Sequence, residues 1–325
     1  MDTPYRPPRL ATLCLIGGLA ACSGAPSPVG PSGVTNASTG NTAHSNPFVR
    51  RAHGSMHYDA KKALIFVTDF ASNAVEVYNP KINDPSPSAT ITDGIESPTG
   101  DCLDKKKTLY VVNENVNSIP EYKAGETTPF QTITTGLDTP AFCAIDGEGN
   151  LWVTNIGSAN VTEYPKGSTS PSTIITDGIT FPLGIAFDRQ GDMYVSNRSG
   201  GSGTNVQVYP PGGTSPELTI TDGITDPCGI AVDAKGTLYV TNLGDETVPE
   251  YESGQTSPYQ TITEGLDYPA GASVDKKGNL FVSNYLGNTI SEYAPGSITP
   301  SGNSISQDLS NPEGSAYSPP VLPKK

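Results

Sequence analysis

The sequence predicts an all-β chain folded as a six-bladed β-propeller of four-stranded antiparallel blades. Each period holds four short apolar runs separated by turns that are rich in Gly and Pro. The second run of each period starts 44, 42, 42, 45 and 42 residues after the previous one. A period of about 40–50 residues is typical of propeller blades. The six copies of this second run are IFVTD from Ile65, LYVVN from Leu109, LWVTN from Leu151, MYVSN from Met193, LYVTN from Leu238 and LFVSN from Leu280.

Residues 1–21 are predicted to be a lipoprotein signal peptide. Arg6 and Arg9 precede an apolar stretch at residues 10–21, which is too short to span a bilayer. The stretch ends in Leu-Ala-Ala followed by Cys22, which resembles a bacterial lipobox. Cleavage before Cys22 would leave this residue as the site of lipidation. An ordinary signal peptide with a chance cysteine is the alternative.

Residues 22–46 form the predicted lipidated Cys22 and a flexible linker. They are rich in Ser, Gly, Pro, Asn and Thr and show no apolar periodicity. A flexible chain of this length spans roughly 27 Å. The expected localisation is export with a lipid anchor in a bacterial membrane. Ser23 favours the outer membrane, with the propeller facing the periplasm or the cell surface.

The propeller is predicted over residues 47–318 and is followed by a C-terminal tail at 319–325. Each inner strand begins at a P-x-G motif, as at Pro182, and ends in a turn in which Asp caps the bend and Gly supplies positive φ. A third strand ends in Tyr, and a fourth lies outermost. Pro120 and Pro249 fall inside third strands and predict weakened pairing there, since proline has no N–H to donate.

The sequence offers seven candidate inner strands, six that begin at Pro and one at residues 53–59, which is one more than six blades require. The last copy runs from Pro312 to Tyr317, and no second strand follows it. At the other end, residues 53–59 also resemble an inner strand. The sequence leaves open which terminal segment closes the ring.

The stretches Pro182–Asn197 and Pro227–Asn242 resemble the NHL repeat. The resemblance covers about residues 53–318 and implies a six-bladed propeller similar to those of the SMP-30/gluconolactonase superfamily and the YVTN surface propellers. It implies little about activity, because the fold hosts scaffolds, receptors and enzymes. It does imply where a ligand would bind, which is the mouth where the loops before the P-x-G motifs lie.

The metal-dependent lactonases of that superfamily place Asn and Asp ligands at the x of P-x-G. Only one of the six equivalent residues here, Glu313, is a good ligand for a hard cation, and calcium needs six to eight oxygens. The chain has three His residues, all before the second strand of the first blade, which disfavours a zinc site shared between blades. We therefore expect no cofactor, with Ca²⁺ as the alternative. The six residues are Thr99, Ala141, Leu183, Cys228, Ala270 and Glu313.

Carboxylates recur in the loops at that mouth, and the formal net charge is −14. This charge disfavours nucleic acid as a partner, since phosphates demand a basic surface. The carboxylates could form an acidic rim that attracts a cationic ligand, but we prefer the interpretation that they serve turn geometry. Glu96 and Asp308 belong to the same loops. The candidate ligand-facing rim is Asp93, Asp138, Asp177, Asp222, Asp226, Glu264, Asp267 and Glu313.

Two other residue types are given structural roles. The Asn that closes each second strand, with Asp69 in its place in the first repeat, is expected to fix the loop that follows it. Cys102 and Cys143 lie on adjacent inner strands at different offsets from their Pro and should point to opposite faces. We therefore prefer buried thiols for Cys102, Cys143 and Cys228, with a disulfide between Cys102 and Cys143 in an oxidising compartment as the alternative. The Asn set is Asn113, Asn155, Asn197, Asn242 and Asn284.

The function expected from the sequence is that of a non-catalytic binding module at the cell envelope. Its partner would be a protein, a glycan or a small molecule at one mouth, with membrane contact through the lipid only. The propeller is expected to be a monomer. The alternative function is a metal-dependent hydrolase or lyase with an altered site, and a purely structural envelope protein is a third.

Overall fold

The computed structural model describes residues 57–198 and 204–323, which form twenty-four strands in six four-stranded antiparallel sheets. The fold is the predicted six-bladed propeller. No helix able to cross a membrane occurs in the described part of the chain. The predicted signal peptide (residues 1–21) and the predicted linker with Cys22 (residues 22–46) lie outside these residues, as do residues 47–56 of the predicted propeller.

The strands follow one another regularly along the chain. Their bounds are β1 (Leu64–Asp69), β2 (Ala74–Tyr78), β3 (Ala89–Ile91), β4 (Pro98–Leu103), β5 (Leu109–Asn113), β6 (Ile119–Tyr122), β7 (Gln131–Ile133), β8 (Pro140–Ile145), β9 (Leu151–Asn155), β10 (Asn160–Tyr164), β11 (Thr173–Ile175), β12 (Pro182–Phe187), β13 (Met193–Asn197), β14 (Asn205–Tyr209), β15 (Leu218–Ile220), β16 (Pro227–Val232), β17 (Leu238–Asn242), β18 (Val248–Tyr251), β19 (Gln260–Ile262), β20 (Pro269–Val274), β21 (Leu280–Asn284), β22 (Thr289–Tyr293), β23 (Ser304–Ile305) and β24 (Pro312–Ser318).

The C-terminal strand closes the ring. Blade 1 has the order β24-β1-β2-β3, so β24 takes the inner position, and Phe66 pairs with Ala316 in the ladder. Blades 2 to 6 each use four consecutive strands, starting with β4, β8, β12, β16 and β20. Residues 57–59 of the alternative closing segment form no strand. Closure by β24 pairs an edge of blade 1 that would otherwise be open.

The ring has two mouths, set by the direction of the inner strands. We call the end where inner strands begin the Pro mouth; it carries the loops from each outer strand to the next inner strand and from each second to each third strand. We call the other end the turn mouth; it carries the tight turns between inner and second strands and the loops from third to outer strands. Residues 57–63 and 319–323 also lie at the turn mouth.

The tight turns at the turn mouth follow the predicted chemistry. Asp188 Oδ1 accepts hydrogen bonds from the backbone N–H of Gln190, Gly191 and Asp192 at 2.8–2.9 Å. Gly191 has a φ of 97°, a conformation that costs glycine little. The same acceptor geometry recurs at Asp104, Asp146, Asp233 and Asp275.

Apolar side chains fill the space between successive blades. Val75 and Val77 of blade 1 lie in one cluster with Leu109 and Val111 of blade 2, and the other interfaces are built alike. Each third strand ends in a fully buried Tyr whose hydroxyl donates to the loop that enters its own blade, as Tyr251 does to Asp222 O at 2.7 Å. These Tyr residues therefore fasten the Pro-mouth loops to the core.

In four blades the Thr or Ser before the residue that closes the second strand links neighbouring blades, whereas Ser283 Oγ of blade 6 has no partner in the described structure. Thr154 Oγ1 donates to Leu183 O of the next inner strand at 2.7 Å, and Thr241 Oγ1 donates to Ala270 O at 2.8 Å. Blade 2 carries Val112 at this position, and Thr99 Oγ1 makes the equivalent bond to Ala141 O at 2.6 Å. The inner strands come so close that a Cβ on Gly184 would lie 2.4 Å from Cys228 O.

The prolines in the third strands weaken pairing as predicted. Strand β6, which contains Pro120, has only two ladder pairs with β5, and β18, which contains Pro249, has only two with β17. Strand β10 has five with β9. Both proline-containing strands still keep three pairs with their outer strands.

The expectation that Cys102 and Cys143 remain thiols is wrong. They form a disulfide between β4 and β8, with their Cα atoms 5.8 Å apart. Their side chains do point to opposite faces of their own sheets, but successive blades stack face to face. One face of blade 2 therefore meets the opposite face of blade 3, and the two sulfurs meet in that interface. Cys228 is buried, as expected.

Candidate functional site: the Pro mouth

The loops of the Pro mouth form two concentric rings. After each outer strand the chain runs through a T-D-G-I-like turn at the periphery and then inward to the Pro of the next inner strand. The residue before that Pro and the residue after the closing Asn meet near the axis, where they share a backbone hydrogen bond. We call these residues the inner ring. The bonds run from Phe70, Glu114, Ile156, Arg198, Leu243 and Tyr285 N–H to the carbonyls of Asn311, Ser97, Thr139, Phe181, Asp226 and Tyr268, at 2.9–3.2 Å.

The closing Asn side chains hold the loop that follows them, as predicted, and they also hold the loop that precedes the inner strand of their own blade, which was not predicted. Asn113 Oδ1 accepts the backbone N–H of Glu96 at 3.1 Å, and its Nδ2 donates to Gly94 O at 2.8 Å and Ser118 Oγ at 3.0 Å. The Oδ1 atoms of the other four Asn residues accept equivalent backbone N–H groups. The Asn side chains are therefore used by the fold itself.

Most of the candidate rim residues present their side chains to solvent. The carboxylates of these exposed rim residues accept no hydrogen bond from the described residues, whereas the carboxylates of the turn-mouth Asp residues accept several. It is the backbone carbonyl, as in Asp177 O with Tyr209 Oη at 2.6 Å, that serves the fold. The exposed residues are Asp93, Asp138, Asp177, Asp222, Glu264 and Asp267, whereas Asp226 is half-buried and Glu313 is buried.

An ion pair joins the inner rings of blades 4 and 5. Arg198 Nε lies 2.6 Å from Asp226 Oδ1, and Arg198 Nη2 lies 3.1 Å from Asp226 Oδ2. This two-point geometry fixes both side chains. Sequence reasoning placed Asp226 on the rim but missed Arg198. The sequence did offer a signal for Arg198, because it directly follows the closing Asn197 and no other Pro-mouth loop contains a Lys or Arg residue.

Glu114 is the other charged residue of the inner ring that sequence reasoning missed. Its residue is 8% exposed, yet its carboxylate accepts no hydrogen bond from the described residues. Burial raises the pKa of this carboxyl to about 7. A desolvated carboxylate without a partner is destabilising, and an approaching cation would relieve that cost.

The described residues do not offer a lactonase-type metal site. All six side chains at the x of P-x-G are buried, including Glu313 on β24. Within residues 57–198 and 204–323, no three His, Cys, Asp or Glu side chains are placed to share a metal ion. The donor set therefore does not fit Ca²⁺, which needs six to eight oxygens.

The charge of the Pro mouth is one-sided. The described loops that form it contain twelve carboxylates and one cation, Arg198. Apolar and aromatic side chains occupy half of the inner ring. An apolar centre with a polar rim is the usual arrangement of a protein interface. The apolar and aromatic members are Phe70, Ile156, Phe181, Leu243, Tyr268 and Tyr285.

A separate cavity of about 130 Å³ lies on the axis, toward the turn mouth. The C-terminal residues Pro320–Pro323 cover it. Asp101 lines the cavity, and neither of its buried oxygens has a hydrogen-bond partner in the described structure. Burial raises the pKa of Asp101 well above its ordinary value.

Solved structures share this fold at low sequence identity. A chain in a nidogen/laminin complex matches with a TM-score of 0.66 and 17% identity, covering 78% of this chain and 98% of that one. A protein of unknown function from Bacteroides caccae matches with a TM-score of 0.63 and 11% identity, covering 79% and 98%. No protein-family model matches the sequence, and no curated protein matches it significantly. These likenesses show the β-propeller fold alone.

Proposed function

We propose that this chain is an exported, lipid-anchored binding module whose Pro mouth docks a cationic partner without chemical conversion. The observation that carries the proposal is the inner ring, in which the buried Glu114 carboxylate accepts no hydrogen bond from the described residues and shares the ring with apolar and aromatic residues inside an acidic rim. A partner with Lys or Arg side chains beside apolar ones would complement both features.

Electrostatics favour this class of partner. The exposed rim carboxylates raise the local concentration of a cationic partner and its association rate. The partner would then place one cation beside Glu114, where the carboxylate is desolvated and the interaction is less screened. The aromatic and apolar members of the inner ring would supply the buried area.

Export is supported by two independent features. The N-terminal sequence resembles a lipoprotein signal that ends at Cys22. The Cys102–Cys143 disulfide is of a kind that persists in oxidising compartments such as the periplasm. Substituting Cys22→Ala should remove the mass of the acyl groups and release the protein from the membrane fraction.

The docking proposal is tested with a synthetic ten-residue peptide of alternating Lys and Leu. We expect its affinity for the Pro mouth to fall steeply as salt increases. The triple substitution Asp93→Asn, Asp177→Asn and Asp222→Asn should weaken binding by roughly tenfold, since each rim charge contributes a few tenths of a kcal/mol.

The matched control removes the same charge from the turn mouth through Glu148→Gln, Glu217→Gln and Glu252→Gln, all exposed carboxylates. It should change the affinity by less than about twofold, because these carboxylates belong to turn-mouth loops and do not line the Pro mouth. Equal losses in both triples would mean that net charge alone attracts the peptide, and the docking proposal would be abandoned.

A further inference from the structure

Charge is distributed unequally between the two mouths. Of the thirteen Lys and Arg residues in the described chain, twelve lie in turn-mouth loops, and the exception is Arg198. The turn-mouth loops also hold twelve carboxylates, so that end is close to neutral, whereas the Pro mouth carries a net charge of −11. The propeller is therefore electrically polar along its axis.

The turn mouth presents most of its cations to solvent and buries four of its twelve carboxylates. The tight turns bury Asp104, Asp188, Asp233 and Asp275, whose Oδ1 atoms are occupied by backbone N–H groups. The residues that follow project into solvent. The exposed cations of this face nearest the axis are Lys61, Lys62, Lys105, Lys106, Arg189, Lys235, Lys276 and Lys277.

Three of these cations come from alternate blades. Lys105, Arg189 and Lys276 belong to blades 2, 4 and 6 and line a pocket of about 530 Å³ around Pro319–Leu322. Each follows the capping Asp of its turn. The centre of the turn mouth therefore offers three cations on one surface.

The chain also enters the propeller at the turn mouth. His57 Nδ1 lies 3.1 Å from Gly125 O, which is in a turn-mouth loop of blade 2. Lys107 Nζ donates to Ala60 O, and Tyr58 packs edge-on against Phe66 with ring centroids 5.3 Å apart. The first described residues of the chain, 57–60, therefore contact the propeller on this face.

We propose that the turn mouth faces the anionic headgroups of the membrane and that the Pro mouth faces away from it. This inference rests on the lipid anchor of the proposed function. A cation close to an anionic leaflet gains about 1 kcal/mol, and the Pro-mouth carboxylates are repelled by the same surface. The predicted linker does not by itself fix the orientation of the propeller, so these charges would select one.

The single tryptophan offers a direct test. Trp152 lies on β9 near the turn mouth and donates from Nε1 to Asp146 Oδ2 at 3.0 Å. The chain from Cys22 onward is coupled through the Cys22 thiol to a maleimide lipid in phosphatidylcholine vesicles containing phosphatidylglycerol. Quenching of Trp152 by spin-labelled headgroups should rise with phosphatidylglycerol content and fall with salt. The chemical coupling makes this test independent of natural lipidation, which the mass of the protein reports separately.

A probe at the opposite mouth is the comparison. The double substitution Trp152→Phe and Phe181→Trp moves the fluorophore to the inner ring of the Pro mouth. Its quenching should be at least severalfold weaker and should not rise with phosphatidylglycerol. Equal quenching at both positions, or stronger quenching at the Pro mouth, would overturn the proposed orientation.

Two variants of equal net charge separate local charge from total charge. Lys105→Gln, Arg189→Gln and Lys276→Gln should lower the quenching of Trp152 in phosphatidylglycerol vesicles by about half or more, because about 1 kcal/mol is lost per cation. Thr135→Asp, Thr180→Asp and Thr225→Asp, all exposed at the Pro mouth, should not lower it. Equal loss in both variants would contradict a docking surface at the turn mouth.

Discussion

Glu114 shows how a single residue can prepare a surface for binding. The backbone of Glu114 is fixed by the bond to Ser97 O, and its carboxylate is desolvated without a partner. The ionised carboxylate therefore carries a desolvation cost at this position that protonation or an approaching cation relieves. Residues that destabilise the free protein and lie in a mouth are reasonable candidates for binding residues.

The substitution Glu114→Gln tests this cost through stability. The folded pKa of about 7 lies above the ordinary value of 4.5. Between these values the folded state holds more protons than the unfolded state, so wild-type stability falls as pH rises through this window. The Gln variant should match the wild type near pH 4 and exceed it at pH 8 by on the order of 1–3 kcal/mol.

Urea unfolding across this pH range measures the difference. Glu96→Gln serves as the control, because Glu96 is an exposed carboxylate in the same loop system. That variant should leave the pH dependence of unfolding unchanged. A Glu114→Gln profile parallel to that of the wild type would show that Glu114 is not desolvated in the folded protein.

At the scale of the strand, features that depend on contacts within one blade could be predicted from the sequence, whereas features that depend on contacts between blades could not. The second-strand motif, the Asp turns and the closing Asn residues were all predictable, because each depends on contacts within one repeat. The Cys102–Cys143 bond and the Thr154-to-Leu183 bond were missed because they join two blades. The alternation of side chains along a strand shows which residues share a face of that sheet, but not which of the two faces packs against the neighbouring blade.

The candidate site was predictable to a similar extent. The repeated loops in the sequence were enough to predict the Pro mouth and its rim carboxylates. Glu114 and Arg198 were not found, because each occupies a loop position that differs in every blade and so carries no repeated signal. Glu114 and Arg198 belong to the inner ring because the loops of all six blades meet near the axis, and they meet there only when the ring is closed. Closure itself was left open, since both terminal segments resembled inner strands.

The disulfide is expected to contribute strongly to stability. It joins β4 to β8 across the interface of blades 2 and 3 and closes a loop with a sequence separation of 41 residues. In the chain-entropy account a loop of this length stabilises by about 3–4 kcal/mol. Reduction should lower the urea midpoint of the wild type accordingly.

The double variant Cys102→Ala and Cys143→Ala is the control for reduction. Its midpoint should already be low and should not respond to reductant. The buried Cys228 remains in both proteins and therefore cancels in the comparison. A wild-type midpoint that is insensitive to reductant would contradict the bond.

The whole molecule combines a rigid ring with an axial charge asymmetry. Closure by β24, the inter-blade hydroxyl bonds and the buried Tyr residues hold the Pro-mouth loops in one arrangement. A preorganised acidic mouth costs little entropy to order when a partner binds. In the proposed orientation the near-neutral turn mouth faces the membrane, so the acidic Pro mouth is free to bind a partner.

Calorimetric titration of the Lys–Leu peptide at pH 7, in buffers of different ionisation enthalpy, tests the central claim most directly. A cation placed beside Glu114 lowers the pKa of its carboxyl from about 7. Binding should therefore release up to about half a proton per peptide, and Glu114→Gln should abolish this release. Binding without proton release, or with equal release in the variant, would show that the Pro mouth does not receive its partner at Glu114.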